Sequence, residues 1–187
     1  MVEDDFSYLG SHVRHSFDDF KIRKALAWKA IRKLWRVWTS DLLTRKLKVR
    51  VFRTTVESVL LYGSECWSLT IEQTRRLDGA YTRLLRKALN EWYPITNEDL
   101  YGAIPKASKT VQLRRLRFAG HCYRRHDQPV RDLVLWTPKG RFRVGGQAKM
   151  TYPKRLLADT SYKSIAELSR CMTDRKEWKS LVKRLSG

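Results

Sequence analysis

Between Phe17 and Ser40 the chain reads FDDFKIRKALAWKAIRKLWRVWTS, and its apolar residues return with a period of 3.6. Phe20, Ala27, Ile31, Leu34 and Trp38 fall on one line, with Ala30 and Trp35 at its margins. Lys21, Lys29, Arg32, Lys33 and Arg36 fall on the opposite side. Arg23 and Lys24 border the apolar stripe, where long stems can run along it and carry the charge outward. Ser16 or Asp18 is placed to cap the start. Asp18 and Asp19 stand in the first turn, where the helix dipole favours negative charge. The pattern predicts a helix with one buried and one cationic face.

A second helical pattern runs from Leu42 to Leu61, with Leu43, Leu47, Val51 and the Val56 to Leu61 group on its apolar side. Arg45, Lys46, Lys48, Arg50 and Arg53 form another cationic row. Beta-branched residues crowd Val51 to Val59, so part of this stretch is open to an extended conformation. Gly63 ends it. Thr70-x-x-Gln73 has the form of a capping box, and Ile71, Leu77, Tyr81, Leu84, Leu85 and Ala88 continue at helical spacing to Asn90. Three consecutive helices with short connections predict a bundle.

From Asn90 to Ala107 aromatics and prolines mix with polar residues around a short turn at Glu98 to Gly102, which reads as a seam. A basic helix is expected from Ser108 to Arg125, with Val111, Leu116, Phe118, Ala119, Cys122 and Tyr123 facing inward. Pro129 interrupts the chain beyond it, and Leu133 to Trp136 reads as a short strand. Pro138 to Lys149 is a Gly-rich cationic loop, and two short helices close the chain, at Ser164-x-x-Glu167 and from Thr173. Upstream, Phe6 to Ser11 reads as a strand entering a turn at Gly10, without a visible partner. The expected fold is mostly α: a strand and turn over 1–16, a three-helix bundle over 17–90, a linker over 91–107 and a small helical unit with a basic loop over 108–187.

Composition changes the meaning of the cationic faces. Among 187 residues, 39 Lys and Arg against 19 Asp and Glu leave a net charge of +20. Self-repulsion on that scale opposes compactness and is characteristic of proteins with a polyanionic partner, nucleic acid first and an anionic membrane surface second. No apolar run is long enough to span a bilayer, and the acidic start MVEDDFSYLG lacks the layout of a secretory signal. Three dispersed cysteines, Cys66, Cys122 and Cys171, suit a reducing compartment. The expected location is intracellular, and nuclear for a nucleic-acid partner.

Candidate chemistry is sparse. Glu3, Asp4 and Asp5 form an acidic cluster without an obvious third carboxylate for a metal. His121, Cys122 and His126 lack the paired spacing of a zinc site, and adjacent His and Cys on a helix point to different faces. Gly140-x4-Gly145 lacks the Lys-Ser/Thr of a nucleotide-binding loop. No nucleophile stands beside a base in a recognisable motif. Of the seven tryptophans, Trp28 lies at the edge of the cationic face, where an indole can stack on a base.

Four motifs, F-S-Y-L-G-S at Phe6 to Ser11, L-L-Y-G-S-E-C-W-S-L-T at Leu60 to Thr70, R-R-L-R-F-A-G-H-C-Y-R-R at Arg114 to Arg125 and D-R-K-E-W at Asp174 to Trp178, occur in this order. Together they resemble the C-terminal part of reverse transcriptases encoded by non-LTR (LINE-type) retrotransposons. The resemblance implies that Phe6, Tyr8, Leu9 and Gly10 belong to the hairpin gripping a primer end, and that the helices from Phe17 to Asn90 form the thumb along a template–primer duplex. In that family the catalytic carboxylates lie upstream of F-x-Y-L-G. The chain is therefore expected to have no polymerase activity of its own and no cofactor, with magnesium entering only if a longer chain supplies the palm. Where many relatives carry a basic G-R-P-R-like run, this chain has Gly146-Gln147-Ala148-Lys149.

The expected function is to hold a nucleic-acid duplex, RNA or DNA, through backbone phosphates and without the catalytic motifs, alone or with the rest of a reverse transcriptase. Lys21, Trp28, Lys29, Arg32, Lys33 and Arg36 are the expected contacts of the bundle. Arg114, Arg115, Arg117, Arg124 and Arg125, with Lys139, Arg141 and Arg143, are those of the C-terminal unit. The alternative is a non-enzymatic helical remnant whose cations bind an acidic protein.

Overall fold

The structure, a computed structural model, describes residues 7–8, 11–12, 16–92, 94–126, 129–137 and 150–186. The fold is mostly helical, as the periodicity predicts, and divides into one unit of residues 1–63 and 71–110 and a second of 64–70 and 111–187.

The first unit opens with two short strands, β1 (Ser7–Tyr8) and β2 (Ser11–His12), paired antiparallel with Ser7 opposite His12. The strand expected from sequence thus has its partner directly after it. Phe6, Leu9 and Gly10 lie outside the described residues. Helix α1 (Ser16–Lys33) buries Phe20, Ala27 and Ile31, as its stripe predicts. It breaks at Leu34 and resumes as α2 (Trp35–Thr39), whose Trp38 is fully buried. The Trp38 indole donates to the Ile31 carbonyl at 2.8 Å, and Lys48 Nζ donates to the Trp38 carbonyl at 2.9 Å. Arg23 does not reach outward as expected. It is 8% exposed, 3.6 Å from the Asp19 carboxylate and stacked over the Tyr62 ring.

The β-branched stretch stays helical: α3 (Arg45–Phe52) passes through a π turn at Arg53–Glu57 into α4 (Ser58–Leu60). Side-chain hydroxyls bond back onto helix carbonyls through the widened turn. Thr55 and Ser58 donate back to the carbonyls of Val51 and Thr54 at 2.7 Å each. The wide turn leaves Glu57 buried, where it accepts from the Tyr81 hydroxyl at 2.8 Å. Burial first, and the Glu57 charge second, push the Tyr81 phenol far above its usual range.

Helix α5 (Ile71–Leu89) packs on α1 and α3 and ends at Asn90, which takes a left-handed φ of 56°. Residues 91–107, expected as a linker, belong to this first unit and contain α6 (Asn97–Tyr101). Two arginines fasten them. Arg86 donates to the carbonyls of Trp92 at 3.0 Å and Ile95 at 2.8 Å, and Arg45 reaches the Leu100 carbonyl at 2.6 Å and Glu91 at 3.0 Å.

Helix α7 (Ala107–Tyr123) starts where Asp78 accepts from the Ser108 N–H at 2.8 Å and hydroxyl at 2.7 Å. The second unit adds α8 (Val130–Val134), α9 (Tyr152–Thr160), α10 (Ile165–Thr173) and α11 (Arg175–Arg184). Leu116, Ala119, Leu156, Leu168, Met172, Trp178 and Leu181 lie in one core. The strand expected at Leu133 to Trp136 is instead the end of α8 and the turn after it. Helix α9 has no counterpart among the predicted elements; Pro153 in its first turn suits a helix start. Phe118, expected inside, is 38% exposed. The last helix is capped by Asp174 rather than Thr173, its carboxylate accepting from the N–H groups of Lys176 at 2.7 Å and Glu177 at 3.1 Å.

Segment 64–70 joins this unit through its carbonyls. Tyr152 donates to Glu65 at 3.2 Å, Arg115 to Trp67 and Arg155 to Leu69 at 3.4 Å. Among the described residues no helix is long and apolar enough to cross a membrane.

Candidate nucleic-acid interface

On α1 the residues Phe17, Lys21, Lys24, Trp28 and Arg32 succeed one another at intervals of 4, 3, 4 and 4. On α5 Glu72, Arg76, Gly79, Arg83 and Lys87 repeat the same intervals. Each series is one stripe of a helix. The two stripes line a common groove, because each borders the apolar stripe through which its helix packs on the other.

The larger part of this groove, about 630 Å³, holds Lys21, Lys24, Arg75, Arg76 and Arg83 around Phe17, Phe20, Trp28 and Gly79. An adjoining hollow of about 390 Å³ shares Trp28 and adds Arg32, Trp35 and Lys87. Among the described residues seven cations, Lys21, Lys24, Arg32, Arg75, Arg76, Arg83 and Lys87, thus line the groove with one carboxylate, Glu72. Two are partly neutralised in exposed pairs, Lys21 with Asp18 at 2.8 Å and Arg76 with Glu72 at 3.0 Å. Such pairs contribute little and dissolve readily in favour of a better anion. Aromatic faces hold others in place: Lys87 lies 4.4 Å from the Trp35 ring centre and Lys24 lies 5.9 Å from that of Phe20. Trp35, expected at the margin of the core, is 50% exposed.

Of the bundle residues expected to meet phosphates, Lys21, Trp28 and Arg32 line this groove. Lys29, Lys33 and Arg36 are exposed and line neither part of it. Lys29 and Lys33 sit further around α1 from the groove stripe, and Arg36 lies on α2. The cationic row expected on the second helix is largely structural, since Lys48 is buried against the Trp38 carbonyl, Arg45 holds 91–107 and Arg53 lies 3.7 Å from Glu57. The α5 cations are absent from the residues expected on sequence grounds. Their signal is the Arg76, Arg83, Lys87 stripe beside Leu77, Leu84 and Ala88, interrupted by Gly79.

In the second unit the row on α7 separates. Arg115 is 2% exposed and locked in place: its Nε donates to Asp159 Oδ2 at 2.7 Å and its NH1 to the Trp67 carbonyl. It is not free to meet a phosphate, because Asp159, itself buried, already neutralises it. Arg114 is half-buried and engaged within the protein. Arg117 and Arg125 are exposed. Arg124 is half-buried and donates to the Met172 carbonyl at 3.0 Å. Lys139, Arg141 and Arg143 lie outside the described residues, as do Glu3, Asp4 and Asp5. Cys122 points into the core, which pushes its thiol up, and neighbouring His121 is exposed.

Comparison with known proteins adds two matches. Residues 30–62, from the end of α1 to Tyr62, match a domain of unknown function, DUF6451. Across 198 aligned residues the chain is 25% identical to a putative uncharacterized transposon-derived protein of Caenorhabditis elegans, with 97% of this chain and 71% of that protein covered. No solved structure matches.

Proposed function

We propose that the chain is a transposon-derived nucleic-acid-binding protein whose α1–α5 groove grips a duplex by its phosphates. The observation that carries this reading is the pair of matching stripes. The six cations of the stripes, with Arg75 beside them, line the groove against one lining carboxylate, although the hydrophobic packing of α1 on α5 requires none of them. A transposon origin rests on the similarity to the nematode protein. The finer assignment, to the thumb and C-terminal region of a non-LTR reverse transcriptase, rests on the four motifs and on a helical bundle directly after a short hairpin. In that role the groove holds template and primer while carboxylates on another part of the polymerase perform the chemistry.

Contacts of this kind position a duplex without reading its sequence, since phosphates are alike at every step. The test is fluorescence anisotropy with a labelled RNA–DNA hybrid and an unrelated hybrid of equal length. Both should bind the wild type about equally, and Arg83→Glu with Lys87→Glu should weaken both by about tenfold or more. Unchanged affinity in that variant contradicts the proposal. Failure of either hybrid to displace the chain from an acidic protein would instead favour the interaction-protein alternative.

A further inference from the structure

The second unit carries a groove of its own, between α7 and α11, of about 430 Å³. Arg117 enters it from α7, Arg124 from the turn directly after α7, and Arg175, Lys179 and Lys183 from α11. No carboxylate lines it among the described residues. Asp174, just before α11, is used as its cap, accepting from the Lys176 N–H at 2.7 Å. The five cations therefore crowd one another, and burial together with the Arg175 charge lowers the affinity of Arg124 for its proton.

Between these cations the floor is mostly carbon. It consists of Val182, Trp178, whose N–H is committed to the Leu116 carbonyl at 3.0 Å, and Ser186, whose hydroxyl donates to the Val182 carbonyl at 2.7 Å. A bare phosphate has no use for such a floor, and the outside of a double helix hides its base faces. An unpaired nucleotide has both parts, an apolar base and charged flanks. We infer that the α7–α11 groove holds an unpaired nucleotide of a single strand, its base on Val182 and Trp178 and its neighbouring phosphates on Arg117, Arg175, Lys179 and Lys183. This extends the nucleic-acid reading of the first unit to a second strand state, and it stands on different residues.

The probes are a labelled twelve-nucleotide oligo(dT), the same backbone without bases, and a twelve-base-pair duplex. In the full chain, Lys179→Glu with Lys183→Glu should weaken oligo(dT) binding by about tenfold and lower its salt slope by about 1.4, roughly 0.7 per lost contact. Duplex affinity should stay within about threefold. The neutral pair Lys179→Gln and Lys183→Gln should give the same ranking, and thermal melting by circular dichroism checks that each variant folds. The abasic strand should bind the wild type roughly fivefold or more weakly than oligo(dT). Equal affinity for the abasic strand, unchanged oligo(dT) binding in the variants, or equal displacement by poly-glutamate overturns the inference. A chain that binds oligo(dT) through this groove and fails to bind the duplex would contradict the reading of the first unit and leave this one standing.

Discussion

The indole of Trp178 lies directly against Gly120, and its Nε1 donates to the Leu116 carbonyl one turn earlier on α7 at 3.0 Å. The contact joins two of the sequence motifs, R-R-L-R-F-A-G-H-C-Y-R-R and D-R-K-E-W. A Cβ on residue 120 would overlap the indole Nε1 and Cδ1 and stand 3.0 Å from the Arg124 guanidinium. Glycine is there because the tryptophan needs the space, in a helix that would otherwise favour alanine.

Gly120→Ala should accordingly destabilise the protein by about 1–3 kcal/mol through overpacking, despite the gain in helix propensity. Gly79→Ala is the control, because a Cβ there meets nothing within 4 Å. It should stabilise by about 0.5–1 kcal/mol. Urea denaturation of both variants reads the opposite signs.

Arg115 and Arg117, two residues apart on α7, should behave as different kinds of residue. Arg115→Ala leaves buried Asp159 without its closest partner and should cost about 3–5 kcal/mol. Arg117→Ala, on the exposed side, should stay within about 0.5 kcal/mol of wild type. Denaturant midpoints measured side by side check the pair.

The two cationic faces of α1 should separate in binding. Lys21→Glu with Lys24→Glu places two negative charges in the groove and should reduce duplex affinity by about tenfold or more. Lys29→Glu with Lys33→Glu makes the same change in net charge outside it and should cost at most about threefold, through the long-range field alone. Equal losses would show that net charge, and not the groove, governs binding.

Asp174 sets an acid-side signature. Two backbone N–H groups, of Glu177 and Lys176, hold its carboxyl below the usual carboxylate range. A folded-state value below the unfolded one means that its contribution is complete above about pH 4 and is lost as pH falls through the lower folded value. Asparagine caps a helix without titrating. In Asp174→Asn the melting temperature should therefore fall less steeply than in wild type below about pH 4.

Local periodicity makes the helices legible, and it makes the buried face of α1 legible residue by residue, at Phe20, Ala27, Ile31 and Trp38. Relations across the chain are not legible. Nothing near Arg115 distinguishes it from Arg114 or Arg117; the difference is Asp159, 44 residues away. Lys24 reads as a marginal snorkelling residue, and Arg83 as an ordinary surface charge, until packing places their stripes together. Residues 91–107 read as a linker because their anchors, Arg45 and Arg86, lie on earlier helices. In each case the deciding partner is remote in sequence.

The central claim is that cations of the α1–α5 groove bind the phosphates of a duplex. It is tested most directly by the affinity of the wild-type chain for a labelled duplex between about 50 and 200 mM salt. About five phosphate contacts among the seven groove cations predict a slope of log affinity against log salt near about −4.5, a loss of several hundredfold across that range. A slope close to zero, or one unchanged by Arg83→Glu with Lys87→Glu, would contradict the account.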